Sequence, residues 1–442
     1  MWLILGSLTT PWNQQFTYRL LAIMNVFRNL AIRGGMGASL LILSLVLPAQ
    51  SVPDTSTHQL QQLLDAQQAA KASDDPTRVA TASEQLTTLA AEQLTATETA
   101  LKQPGLPPAK TRQLKTREQQ LHQILANGFN DWGTAEARQR QFQPALAHFQ
   151  QAEKWDASTP GVMRNLGTAA FMLEDYPESA RALATAVTQS PDDQRLRLML
   201  AMSLFTIEKF AEAAGNFAQI SDLAMQDPRS AYAWAFSLAR TSQEQKANAI
   251  ANDLDARQLA PDVHLLVCQL YTTMENYEHA VPCFRKLETE DPTMLHVHYE
   301  TGATLVHLDR PADAIPELRA ELKLDPSDID AQYYLAFALL ETSQKEEALG
   351  LLRNVIAEKP DHAQAQYQLG KVMLEDGKTD EAIQHLEIAA KLEPSLDYVH
   401  YQLQAAYRRA GRNDDANREL AIYKQIKAEH RNASPAHDNS AP

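Results

Sequence analysis

The chain has 442 residues, 44% apolar and 21% charged, with 15 Gly, 22 Pro and 2 Cys. A length of that order allows about two to four globular domains or one extended array. Two cysteines exclude a disulfide-dense secreted scaffold and a four-thiolate zinc site, and a formal charge of −15 argues against a nucleic-acid binder that needs a basic surface.

The first 51 residues carry no Asp or Glu, and Arg19, Arg28 and Arg33 are their only charges. Met24 to Arg33 has the basic character of a signal n-region. Met36 to Leu47 is a 12-residue apolar run, and Pro48-Ala49-Gln50-Ser51 offers small residues for cleavage after Ala49 or Ser51. This layout predicts a secretory signal peptide over 1–51, with translation starting at Met24, and an exported protein, periplasmic or secreted. The competing reading is an uncleaved membrane anchor at 36–47, although a spanning helix needs about 20 residues. Removing the segment leaves 37 basic and 55 acidic residues.

Residues 52–125 read as helical. Leu and Ala fall at helical spacing over Ser56–Ala72 and Pro76–Lys102, Asp74-Asp75-Pro76 is a helix start, and Gln103-Pro104-Gly105-Leu106-Pro107-Pro108 is a break. Ala109–Leu125 then runs on toward 126. The segment is an amino-terminal helical cap or a pair of degenerate repeats.

From 126 to 430 the chain repeats itself. Alanine, once serine, recurs at 145, 179, 213, 247, 280, 314, 348, 382 and 416, every step being 34 except one of 33 after Ala247. A large apolar residue follows four positions later in most copies, as at Phe149, Leu183, Phe284, Leu318 and Leu386. Proline closes copies at 191, 292, 326, 360 and 394. Large–small pairs (Trp132-Gly133, Leu166-Gly167, Leu200-Ala201, Leu335-Ala336, Leu369-Gly370) let two helix backbones approach. Apolar residues at i, i+3, i+4 and i+7 mark amphipathic helices, and Asp-Pro or Glu-Pro stops the second helix of each copy. The copy Tyr367–Pro394, with Leu369, Gly370, Gly377, Ala382, Leu386, Ala389, Leu392 and Pro394, resembles the tetratricopeptide repeat, a 34-residue helix–turn–helix unit. The resemblance covers about nine tandem copies. It implies an all-α fold, a right-handed α-solenoid in which each unit buries its apolar face against its neighbours.

One copy, at 228–260, departs from the pattern: Ser242-Gln243-Glu244 stands where the usual turn would be, and the 33-residue step follows. Ordinary divergence and a kink are both open readings. Pro282 and Pro316 sit early in their second helices, where a missing N–H is tolerated. The tail 431–442 is polar, with Pro435 and Pro442, and is expected to be disordered.

The chain offers no Gly-rich phosphate loop and no Gly-x-Ser-x-Gly elbow. Histidines are scattered (His264, His279, His296, His298, His307, His362, His385, His400), with none at the i, i+4 spacing of a helical metal pair. No catalytic residue, cofactor or metal is expected, and the protein reads as a non-enzyme. Cys268 and Cys283 fall on the first and second helices of one copy. A structural disulfide and a pair of packed free thiols are both open.

Tyr299, Tyr333, Tyr367 and Tyr401 recur every 34 residues at the fifth position of their copies. The resemblance implies that positions two, five, nine, twelve and thirteen face a concave groove, which would add Phe337, Lys371, Arg408 and Arg409. Such a face would suit an extended peptide with apolar and acidic side chains; the tyrosines as mere packing is the competing reading. The Lys and Asn clamp of carboxy-terminal-peptide receptors is absent, since those positions hold Arg164 and Thr168, then Leu198 and Met202. The expected function is a protein–protein interaction scaffold of the cell envelope, with a protein or peptide partner, no nucleic acid, and the membrane only through an uncleaved amino terminus. A glycan-binding module using the tyrosines, and a signal-anchored assembly factor, are the alternatives.

Overall fold

The computed structural model describes residues 55–433. The signal or anchor segment at 1–51 and residues 434–442 of the tail lie outside the described residues. Among the described residues all regular structure is helical, so the fold is all-α, of the tetratricopeptide-like solenoid class. No helix there is long and apolar enough to cross a membrane. The contacts divide into two compact units, 55–250 and 251–433, parted inside one helix of the divergent copy.

The first unit opens with α1 (Thr55–Ala72), α2 (Pro76–Leu101) and α3 (Pro108–Arg138). Asp75 caps α2 by accepting from the N–H groups of Thr77 and Arg78, with Pro76 in the first turn. Leu60, Leu86, Leu94, Leu121 and Leu125 close a core between these helices. The 31 residues of α3 pass without a break through 126, so the first copy borrows its first helix from the preceding segment. Helix pairs follow: α4 (Phe142–Asp156), α5 (Val162–Met172), α6 (Tyr176–Gln189), α7 (Gln194–Thr206), α8 (Phe210–Ala218), the short α9 (Ser221–Ala224) and α10 (Pro228–Ala239). Gly215 and Asn216, weak helix formers, precede the interruption between α8 and α9, and Ile220 is buried there. Helix α11 (Glu244–Asp255) contains the division between units.

The second unit holds α12 (Pro261–Thr273), α13 (Tyr277–Glu290), α14 (Val297–His307), α15 (Pro311–Leu324), α16 (Ile329–Glu341), α17 (Lys345–Glu358), α18 (Ala363–Glu375), α19 (Thr379–Leu392), α20 (Asp397–Arg409) and α21 (Asn413–Ala433). Helix α21 includes Arg431–Ala433, so the expected disordered tail begins as helix.

The turn inside each pair is the most regular feature. Arg140, Glu174, Glu208, Ser242, Glu275, Asp309, Ser343, Gly377 and Gly411 all have positive φ, and they repeat with the period of the sequence. At each, two backbone bonds close the first helix, as where Glu174 N–H donates to Phe171 O and Asp175 N–H to Ala170 O. This is the Schellman closure, which needs one left-handed residue. Ser242 and Gln243 make the same two bonds, to Ala239 and Leu238. The expected loss of the usual turn in the 228–260 copy is therefore corrected: the backbone is conserved in shape where the side chains are not.

The large–small pairs act as the spacing predicts, with the large partner identified by the structure. A Cβ on Gly167 would stand 2.7 Å from Leu183 Cγ, and one on Gly302 would stand 2.5 Å from Leu318 Cγ. The bare backbone lets a leucine of the second helix lie across the first, burying a side chain that contributes about 1.5–3 kcal/mol. Pro282 and Pro316 lie inside α13 and α15. Each is the sixth residue of its helix and exposed, and its ring removes one helical hydrogen bond.

Candidate protein-binding face and polar seam

The four repeated tyrosines do not form an open ladder. Tyr333 and Tyr367 are only 7% and 4% exposed, Tyr299 packs against the core, and Tyr401 is 52% exposed. Each packed ring is covered from the following copy or by its own neighbours: Tyr333 lies 4.7 Å from His362, Tyr367 4.7 Å from Tyr398, and Tyr299 5.7 Å from Tyr334. Burial pushes the Tyr299 and Tyr333 hydroxyls well above their usual range and that of Tyr367 up to about 12. Tyr401 is followed by α21, from which Tyr423 approaches to 5.5 Å at a tilt, and the residue stays half exposed. The reading of Tyr299, Tyr333 and Tyr367 as groove contacts is thus corrected to packing, and the tyrosine platform for a glycan goes with it.

The other residues of that face are partly available. Phe337 and Lys371 are half-buried, and Arg408 and Arg409 are exposed. A guanidinium nitrogen of Arg409 donates to the carbonyl of Leu374 at the end of α18, which ties one copy to the next. Tyr401, Ala405 and Arg408 follow one another at i, i+4 and i+7 on α20 and so share a stripe.

Behind this face runs a column that sequence reading missed. In four copies the fourth residue meets a residue nineteen places on, in the second helix of the same copy: Arg197 with Asn216 (3.3 Å), His298 with Glu317 (3.1 Å), Gln366 with His385 (2.7 Å) and His400 with Glu419 (2.6 Å). Many of these side chains also bond the proline carbonyl that ends the preceding copy. Arg197 donates to Pro191 O, Gln332 to Pro326 O, Gln366 to Pro360 O and His400 Nε2 to Pro394 O. Where the partner is apolar, at Leu351, the Oε1 of Gln332 is buried without a hydrogen bond. The available signal was the spacing of His264, His298 and His400, which are separated by whole multiples of 34.

Histidines in and beside the column are shifted in opposite directions by their neighbours' chemistry. His400 faces a carbonyl on Nε2 and a carboxylate on Nδ1, neither of which can donate, so the imidazole holds both protons. His264, also buried, faces Glu290 on Nδ1 (2.9 Å) and Asp255 on Nε2 (3.1 Å). The bond to Asp255 outweighs burial, Lys286 opposes from nearby, and the net shift is upward. His362 is the reverse case. It caps α18 by accepting the N–H of Ala365 on Nδ1, and burial pushes it down to about 4.

Cys268 and Cys283 are joined in a disulfide between α12 and α13. Among the described residues no further cysteine is present.

Stacked helix pairs crossed by a polar seam define a helical-repeat fold. Residues 130–194 match the family model described as tetratricopeptide repeat, and residues 317–389 match the one described as anaphase-promoting complex, cyclosome, subunit 3. The two matches mark tetratricopeptide-type repeats in these parts of the chain, and such repeats serve in general as protein–protein interaction scaffolds. Among solved structures it is similar to a crystal structure of MamA at 23% identity, over 40% of this chain and 99% of that one, with a TM-score of 0.34. It is also similar to MamA from residue 41 to its end from Desulfovibrio magneticus RS-1, 22% identical over 38% of this chain and 96% of that one, with a TM-score of 0.35. No curated protein matches the chain.

Proposed function

We propose that the protein is a non-catalytic scaffold of the cell envelope that holds an acidic, apolar segment of a protein partner against the α20 face. The observation that carries the reading is the half-exposed ring of Tyr401 in line with the guanidinium of Arg408, on a chain whose net charge is −15. A half-open aromatic ring is a rigid anchor, and a cation beside it selects for an acidic segment. Phe337 and Lys371 extend the same chemistry along the preceding copies. Export is supported by the composition of residues 1–51 and by the Cys268–Cys283 bond, which persists in oxidising compartments.

The test is fluorescence anisotropy of purified protein, from Val52 onward, against labelled peptides that alternate acidic and aromatic residues. Their Lys-for-Glu counterparts serve as controls. Salt-sensitive binding of the acidic series, weakened at least about tenfold by Tyr401→Ala with Arg408→Glu, is expected. Equal binding of both series, or an unaffected double variant, sinks the proposal.

A further inference from the structure

We propose that Glu288, His298 and Glu317 form a binding site for one divalent transition-metal ion of the zinc class. The three side chains come from three consecutive helices: Glu288 from α13, His298 from α14 and Glu317 from α15. His298 Nδ1 lies 3.1 Å from Glu317 Oε2 and 3.5 Å from Glu288 Oε1. Ligand atoms at about 2.1 Å from a tetrahedral ion stand about 3.4 Å apart, and both separations lie close to that spacing. All three ligand atoms fall within 4.8 Å of one another. The side chains keep 14–19% of their surface exposed, which shelters an ion while leaving an entry path and a fourth position for water.

The electrostatics call for more positive charge than the imidazole supplies. Two carboxylates converge on one ring nitrogen, which can give a single proton to one of them. A divalent ion in place of that proton satisfies both carboxylates at once. The hydroxyl of Thr301 lies 2.5 Å from Glu288 Oε1 and orients it from outside the ligand set.

Two similar groups lack this capacity. In the cluster of His296, Glu321 and Asp328 the carboxylate oxygens are engaged: Glu321 accepts the backbone N–H groups of His296 and Tyr299, and Asp328 accepts from Ala331 N–H and from His296. Near His264 both sulfurs are spent in the disulfide. His298 also differs from its column. Its Nδ1 faces Glu317 as that of His400 faces Glu419, but a second carboxylate, that of Glu288, stands 3.5 Å from the same nitrogen. The i, i+4 criterion could not find this site, because its ligands come from neighbouring helices.

The experiment uses tag-free protein dialysed against chelator and titrated with zinc chloride by calorimetry, then with cobalt(II) by visible absorption. Expected are one ion per chain, tetrahedral cobalt bands, and binding weakened at least about tenfold in His298→Ala and in Glu317→Gln. His296→Ala should bind as wild type does. No saturable uptake by wild type overturns the proposal, and so does wild-type affinity in both ligand variants. Circular dichroism reports folding, and Glu317→Gln, which keeps the side-chain shape, decides alone should His298→Ala fail to fold.

Discussion

The clearest electrostatic prediction concerns Glu419. His400 is buried between α20 and α21, with Nε2 2.9 Å from the carbonyl of Pro394 and Nδ1 2.6 Å from Glu419 Oε2; Asp397 is the other charge facing it. Burial alone would lower its pKa, but the bonds to Glu419 and Pro394 outweigh that and raise it above 6.5. A histidine raised in the folded state contributes stability that is complete below its unfolded pKa and disappears as pH rises through the folded one. Glu419→Gln exchanges a charge-assisted bond of about 1.5–3 kcal/mol for a neutral one of about 0.5–1.5. The expected loss is therefore about 1 kcal/mol in acid, or about 2–4 °C in the melting temperature of a unit this size. At alkaline pH the neutral ring turns a lone pair toward residue 419. The amide introduced by the substitution can donate to that lone pair, whereas the native carboxylate repels it, so the loss should vanish or reverse. Urea unfolding followed by circular dichroism, with amide hydrogen exchange across 397–433, would report both regimes. An equal loss at acid and alkaline pH would refute the doubly protonated imidazole.

Other perturbations probe the packing. Tyr367→Ala should cost about 3–5 kcal/mol in denaturant unfolding, whereas Tyr401→Ala should stay within about 0.5; similar costs would contradict their different burial. Glu208→Gly replaces a left-handed residue in an exposed turn and should raise the melting temperature, with a gain of up to about 1 kcal/mol, while Gly377→Ala should lower it. Cys283→Ser opens a bond spanning 15 residues and should cost about 3 kcal/mol. Reductant should bring wild type down to the variant's midpoint and leave the variant unmoved.

Much of the architecture was legible because a fixed period exposes it. Gly167, Leu183 and Pro191 recur in phase with Gly370, Leu386 and Pro394, and one helix pair predicts the next. The left-handed turn was harder to read: seven of its nine occupants are not glycine, so residue identity conceals a conformation that the backbone bonds preserve. The binding face was half legible. Spacing placed Tyr299, Tyr333, Tyr367 and Tyr401 on one stripe, but whether a ring on that stripe is covered depends on what the following helix brings against it. His362 and Tyr398 cover two rings, and α21 leaves part of Tyr401 open.

The sequence by itself determined the helix pairs, their period, the close approach at each glycine–leucine crossing and the pairing of Cys268 with Cys283 as one of two options. These depend on residues near one another in the chain, or on a repeat that copies one local solution. Tertiary structure alone decided which tyrosines are packed, which histidines carry two protons, and that Glu288, His298 and Glu317 share one point. Those properties belong to side chains from different helices, and burial and charge at such a point are sums over neighbours that no single copy contains.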